Sequence, residues 1–232
     1  MKEIVKDYLW TLNFQGIDNN KLYKTCTDIE LTLRQHLPPI PDRKQIRPFQ
    51  QGVFIYNSFT GYYHQQYNMF QFPCPELSNL YRNMAMYFPE VINTGKQYYI
   101  RCWVNLFEKG RNIDWHSHWP PHFKTYHGFY CVNTEGEHES YTDYRVPNVA
   151  EPIRIISKDG LCVIGKSEGD EHRCSEWLNE NKMRVTIAFD VIPVDVLRSD
   201  EKFLHLEVNK DLLYNFIPLT FIKPNVITLN NI

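Results

Sequence analysis

The runs QYYIRCWVNLF (97–107), YHGFYCVN (126–133), IRIIS (153–157), GLCVIG (160–165) and MRVTIAFDVIP (183–193) decide the fold. They are rich in Val, Ile, Phe, Tyr and Trp, the residues that suit a pleated, half-buried surface. Polar, turn-forming stretches separate them. Runs of this length and spacing within a single stretch of chain predict an antiparallel double sheet, a sandwich or jelly roll.

Outward from that core, the N-terminal side reads differently. Residues 7–17 (DYLWTLNFQGI) predict an opening strand. Asp18-Asn19-Asn20 offers a helix cap, Leu22, Cys26, Ile29 and Leu33 follow at helical spacing, and Pro38-Pro39 stops the run, so a helix spans 19–36. A second helix runs from Pro75, which suits a first helical position, to Phe88, with Leu77, Leu80, Met84 and Tyr87 on one face. Between them, 40–50 predicts a loop, 51–57 a strand and 58–70 a Tyr/Gln-rich loop or hairpin. The aromatic stretch 58–72 suits either a lid over a site or a packing loop. Beyond the core, 194–232 holds another strand-like piece, FLHLEV (203–208), and an apolar end. The expectation is a single domain over 1–232, mainly β with N-terminal helices. It comprises a supporting part over 1–95, a jelly-roll core over 96–193 and a C-terminal extension over 194–232.

The chain has 232 residues, 43% apolar and 22% charged, the balance of an ordinary globule. A net charge of −2 provides no global field toward nucleic acid or membrane. No stretch approaches the ~20 apolar residues of a membrane span. Residues Met1 to Asp7 are too charged for a secretory signal. The cysteines are Cys26, Cys74, Cys102, Cys131, Cys162 and Cys174, without a C-x-x-C pair. Cys102, Cys131 and Cys162 sit in apolar runs and read as small buried hydrophobes. Free thiols and a cytoplasmic location (that of the host cell, were the protein phage-encoded) are expected.

Chemistry concentrates in one place. Of nine histidines, four crowd together in Trp115-His116-Ser117-His118-Trp119-Pro120-Pro121-His122 and Tyr126-His127. On an extended segment, residues i and i+2 point the same way. His116 and His118 can therefore meet one metal ion, and imidazole suits iron, copper, zinc and nickel. The best third ligand is His172, at the polar turn Glu168-Gly169-Asp170-Glu171-His172 after an apolar strand. His122, Asp114 and Asp170 are rivals for the third position. Otherwise His122 and His127 read as ordinary surface or core residues.

Twelve residues past His172 the run Arg184-Val185-Thr186-Ile187-Ala188-Phe189-Asp190 begins. Val185, Ile187 and Phe189 share an apolar face. Arg184, Thr186 and Ala188 share the other, which is small except for the arginine. A planar guanidinium turned inward beside small residues suits a carboxylate, to which it donates two parallel hydrogen bonds.

Together these residues resemble the 2-oxoglutarate and iron(II)-dependent oxygenases. That family carries H-x-D/E, a distal His and a basic residue about ten positions later. Here the pattern is His116-x-His118, His172 and Arg184. The nearest resemblance is to the oxygenases common in cyanophages and marine bacteria, through Trp103-Val104-Asn105, His116-Ser117-His118, Gly128-Phe129-Tyr130-Cys131 and Arg184-Val185-Thr186-Ile187-Ala188-Phe189. It spans residues 96–193, and departs from the pattern where His118 replaces the carboxylate and where the interval to Gly128 is long. The resemblance implies a double-stranded β-helix (jelly roll) and a hydroxylase-type dioxygenase. Iron(II) would be held by His116, His118 and His172. 2-Oxoglutarate and O2 are the implied co-substrates. Arg184, with Tyr130 or Tyr99, would hold the far carboxylate, and Asn105 and Thr186 would line the same pocket. The prime substrate, a peptide side chain, a nucleobase or a small metabolite, is not legible. Two other readings compete. One is a cupin-like three-His dioxygenase without 2-oxoglutarate. The other is a non-enzymatic, phage-type jelly roll with a binding or structural role.

Overall fold

The computed structural model describes residues 1–40, 58–92, 95–136, 138–198 and 215–222. The expected strand at 51–57, nearly all of the loop at 40–50 and FLHLEV lie outside the described residues. The chain opens with β1 (Lys2–Val5), β2 (Leu9–Asn13) and α1 (Asn19–His36), then α2 (Phe59–Tyr62) and α3 (Pro75–Tyr87). Eight strands follow: β3 (Tyr98–Phe107), β4 (Ile113–His116), β5 (Thr125–Asn133), β6 (Tyr141–Arg145), β7 (Ile153–Ile156), β8 (Leu161–Ser167), β9 (Glu171–Cys174) and β10 (Arg184–Pro193). A short α4 (Val194–Arg198) and β11 (Ile217–Leu219) complete the described elements.

The strands form two sheets, ordered β1-β2-β8-β5-β10-β3-β11 and β4-β9-β6-β7. Every pairing is antiparallel. The chain passes repeatedly between the sheets, so the fold is mostly antiparallel β with few helices, consistent with a jelly roll. The larger sheet is covered on both faces, which is why all ten residues of β10 are buried. Helices α1 and α3 cover one face. Leu22, Cys26, Ile29 and Leu33 of α1 and Leu77, Leu80 and Met84 of α3 join Val185, Ile187, Phe189 and Val191 of β10 in the main core. Asp18 caps α1, its carboxylate accepting from the amides of Asn20 and Lys21 at 3.1 Å. Between the sheets lies a second core of Leu9, Phe129, Cys131, Tyr144, Val146, Ile155 and Val163.

Gly128 is required where these layers meet. A Cβ there would stand 1.9 Å from the Val163 carbonyl oxygen and 2.7 Å from the Phe189 ring. On the outer face of the small sheet, Asp143 of β6 accepts from Arg154 of β7 and Arg173 of β9, binding three strands together.

Two expectations need correction. The opening strand is shorter than 7–17 and pairs with β1 as a hairpin. The 58–70 stretch is neither plain loop nor hairpin: it winds into α2 and a 3₁₀ turn at Met69–Gln71. Of the two uses foreseen for the aromatic stretch 58–72, packing is the one observed, with Phe59, Tyr63, Tyr67 and Met69 in the main core. Its polar side chains satisfy the part of the β3 edge that β11 leaves uncovered, on the side away from β10. The amides of Cys102, Val104 and Leu106 donate to Asn68 Oδ1, Tyr67 Oη and Ser58 Oγ at 3.2, 3.0 and 3.1 Å. Thr60 Oγ1 donates to the Val104 carbonyl at 2.6 Å. No described helix is long and apolar enough to cross a membrane. All six cysteines are free thiols, and all but Cys74 are buried.

Candidate metal centre

His116 ends β4 directly opposite His172 of β9, a registered pair with ring centroids 4.2 Å apart. His118 lies two residues on, its ring 5.6 Å from His116 and 5.1 Å from His172. One ligand atom from each of the three falls within 4.8 Å of the others. The i, i+2 spacing thus does bring both histidines of the H-x-H segment to one point, and His172 joins them. His172 sits on a strand and not at the polar turn expected, because Asp143 and Arg145 of β6 extend the pairing through Arg173 and Glu171.

Two of the three imidazoles have an oxygen behind them. His116 Nδ1 lies 2.8 Å from the Asp114 carbonyl, and His118 Nδ1 lies 2.6 Å from Asp190 Oδ1. A carbonyl and a carboxylate accept only, so both ring nitrogens are donors and each ring turns Nε2 toward the cluster. Metal-binding histidines are oriented in this way. Asp190 also accepts from Arg101 Nη2 at 2.7 Å. Burial raises its carboxyl pKa, but His118 and Arg101 outweigh that and hold it well below the usual carboxylate range. Burial, then the neighbouring His118, pushes His116 down to about 3. Burial, then His116, pushes His172 well below the usual value. Both are therefore neutral near pH 7, the protonation state a metal ion requires.

The fit to a metal can be tested on the residues themselves. Three converging imidazoles, two of them oriented from behind, suit iron(II) and its neighbours. His172 Nδ1 is buried with no hydrogen-bond partner among the described residues and stands 3.8 Å from Asp170 Oδ2. The donor set fits a transition-metal ion.

Arg184 begins β10 and is 2% exposed. It pairs with Phe107 of β3, and its guanidinium lies 5.8 Å from that ring. Among the described residues it has no ion pair, and its Nε has no hydrogen-bond partner. Thr186 and Asn105 are registered neighbours on the same face, with Cys131 across from Thr186. The structure therefore gathers Arg184, Thr186 and Asn105. It does not bring in the two tyrosines. Tyr130 points to the opposite face, donates to Asn19 Oδ1 at 2.8 Å and stacks on Phe14. Tyr99 pairs with Ile192, eight positions along β10 from Arg184, a separation of ~26 Å at the rise of a strand. Strand alternation places Tyr130 outside the pocket, and strand length removes Tyr99.

Asp190 and His127 were not foreseen as parts of the site. His127 is 1% exposed, its ring 4.6 Å from His118 and 4.8 Å from His172. Asp190 carried a signal: it shares the Arg184 phase of an otherwise apolar strand, and a buried acid needs a partner. His122, by contrast, is exposed on a 3₁₀ turn, and the Asp114 side chain is exposed.

No protein-family model matches the chain, and no curated protein matches it in sequence. Solved structures do match in fold. A prolyl hydroxylase from Trichoplax adhaerens, in complex with a hypoxia inducible factor oxygen degradation domain peptide fragment, aligns with a TM-score of 0.52 and 13% identity, over 84% of this chain and 89% of that one. This chain shares the fold of that hydroxylase. AviO1 from Streptomyces viridochromogenes Tue57 aligns at 0.52 and 14% identity, over 80% and 90%. A 2OG-Fe(II) oxygenase family oxidoreductase from Burkholderia pseudomallei matches a smaller part, 51% of this chain and 58% of that one, at 13% identity and a TM-score of 0.40. In the fold shared with the Trichoplax adhaerens protein, the histidine cluster and Arg184 both lie on or beside strands that border the space between the two sheets.

Proposed function

We propose that this chain is a 2-oxoglutarate-dependent iron(II) oxygenase of the hydroxylase type, working as one domain. In this reading β3, β5, β8 and β10 face β4, β6, β7 and β9 as a double-stranded β-helix. His116, His118 and His172 hold the iron. The observation that carries the proposal is Arg184. A guanidinium buried without a carboxylate is strongly disfavoured unless a ligand supplies the anion, and this one lies on the strand whose Asp190 orients His118. A dicarboxylic keto acid is such an anion, and its keto-acid end suits the metal.

Iron and 2-oxoglutarate supply the oxidising chemistry, with O2 as oxidant and succinate and CO2 as products. The chain's own residues do the rest. Arg184 binds the far carboxylate, with Thr186 and Asn105 beside it on the pocket wall. Asp190, held by Arg101, keeps His118 in one tautomer and one orientation. Ala188, between Thr186 and Asp190 on the same face, leaves room for the co-substrate. Tyr144, stacked on His172, and Phe129 belong to the inter-sheet core, which excludes water from that side of the triad.

Three imidazoles are also the donor set of a three-His dioxygenase that uses no 2-oxoglutarate. The third histidine favours that alternative, and Arg184 is what separates the two. A peptide side chain is the substrate class supported by the peptide-bound hydroxylase of the same fold. Motif order supports kinship with the cyanophage and marine bacterial oxygenases.

The test is anaerobic titration of the iron(II) protein with 2-oxoglutarate. Chelation is expected to give a metal-to-ligand charge-transfer band. Arg184→Gln is expected to weaken 2-oxoglutarate by ~1.5–3 kcal/mol, the range for a hydrogen bond to a charged group, with iron content unchanged. Absence of the band in the wild-type protein would leave the three-His dioxygenase as the better reading.

A further inference from the structure

His127, Asp170 and His172 make a second convergence beside the triad. They are 1%, 2% and 8% exposed, and one ligand atom from each lies within 4.8 Å of the others. They come from different places: His127 from β5 in the large sheet, His172 from β9 in the small sheet, and Asp170 from the turn after β8. Asp170 Oδ2 stands 2.8 Å from His127 Nε2 and 3.8 Å from His172 Nδ1. The first is a close ion-pair contact out of line for a hydrogen bond, and the second lies beyond hydrogen-bond reach. Asp170 Oδ2, both ring nitrogens of His127, and His172 Nδ1 are all buried with no hydrogen-bond partner among the described residues. Native interiors rarely leave so many polar atoms unsatisfied in one place.

A shared cation resolves all of this except His127 Nδ1. Two ligands at about 2.0–2.2 Å from one ion stand roughly 3–3.5 Å apart in tetrahedral or octahedral geometry, and the two observed separations bracket that spacing. We propose that His127, Asp170 and His172 form a second cation seat that shares His172 with the triad and takes a divalent transition-metal ion in its place, since a neutral imidazole has one lone pair to give. Its donors are two imidazoles and a carboxylate, so it carries the negative ligand that the H-x-H segment lacks. Imidazole nitrogen with carboxylate oxygen selects iron(II), cobalt(II), zinc or manganese over calcium or magnesium. The seat does not depend on 2-oxoglutarate chemistry.

The experiment removes the outer seat and loads the inner one. Metal-free His116→Ala/His118→Ala protein, checked for native circular dichroism, is dialysed against cobalt(II). It is expected to retain an equivalent of cobalt with a ligand-field spectrum, and Asp170→Asn added to it is expected to abolish both. Absence of cobalt from the folded double variant, or binding indifferent to Asp170→Asn, would overturn the seat and leave a proton-sharing His127–Asp170 pair. Should the double variant not fold, the wild-type protein decides. In long-range ¹⁵N spectra during zinc titration, the His127 ring nitrogen facing Asp170 is expected to shift to a metal-bound position. If it stays put at saturation, the proposal fails.

Discussion

Asp190 shows how much one side chain can determine. It accepts from both His118 and Arg101 while 1% exposed. Removing its charge leaves Arg101 buried without its carboxylate and His118 without its orienting acceptor. Outer-shell partners of this kind typically account for a 10–100-fold change in metal affinity. Asp190→Asn is therefore expected to weaken iron(II) binding by about that factor, measured by competition with a chromophoric chelator. An unchanged affinity would show that His118 is not a ligand. The same geometry predicts an outcome for His118→Asp, which would restore the commoner donor set. The new carboxylate would face Asp190, and like charges in a buried site repel. The single variant is expected to load iron poorly, and Asp190→Asn is expected to rescue it. Iron content of the two proteins, side by side, checks this.

At the scale of elements, legibility followed apolar periodicity. Helices at 19–36 and 75–88 were readable because Leu22, Cys26, Ile29 and Leu33, and Leu77, Leu80 and Met84, repeat at helical spacing, and they form to within a residue of expectation. Strands β3, β5, β8 and β10 were readable as apolar runs, being buried on both faces. The strands β4, β6 and β9 of the small sheet were not read. They are short and place Asp143, Arg145, Glu171 and Arg173 on their outer face, so they look like polar turns. The site inherited that gap. His116 and His172 were singled out by residue type and spacing, but the cross-strand pairing that joins them was invisible. The tyrosines assigned beside Arg184 failed on strand phase and strand length.

Two element-scale predictions follow from packing and charge. Gly128→Ala forces a methyl group into the Val163 carbonyl and the Phe189 ring, and overpacking of this kind costs about 1–3 kcal/mol. Chemical denaturation should show that loss, and a neutral result would mean β5 can move off β8. Asp143 is held below the usual carboxylate range by the hydrogen bond from Arg154, against burial, with Arg173 adding to it. A carboxyl depressed in the folded state stabilises above its unfolded pKa, and that contribution is lost as pH falls through the folded value. Both arginines are about half exposed, so screening moderates the effect. Asp143→Asn is expected to cost roughly 1 kcal/mol at pH 7, with the difference from wild type shrinking below about pH 4. A difference constant down to acid pH would refute the charge-based account.

For the molecule as a whole, the division of labour lies between two cores. The one under the helices is apolar throughout and supports the large sheet. The one between the sheets grades from Leu9, Val163 and Ile155 into histidines, aspartates and two arginines, Arg101 and Arg184. Stability and chemistry are thus built on opposite faces of the same four strands. A strand residue on the helix face can change stability with little effect on the site, and its neighbour in sequence can do the reverse. Ile187→Val, on the helix face, is expected to lower stability by ~0.5–1.5 kcal/mol and leave 2-oxoglutarate binding unchanged. Thr186→Val, one position away, is expected to weaken the co-substrate. Paired denaturation and binding measurements check both.

The edge of β3 away from β10 is held by side chains of Ser58, Tyr67 and Asn68 and not by a neighbouring strand over Cys102 to Leu106. Backbone protons along that strand therefore answer to two different events. Those of Cys102, Val104 and Leu106 become available to solvent whenever the 58–68 segment lifts, while those of Trp103 and Asn105 point to β10 and wait for the sheet itself to separate. Deuterium uptake should alternate residue by residue along a single strand, fast on even numbers and slow on odd. The ratio between the two rates measures how often the flank of the barrel opens while its core stays closed.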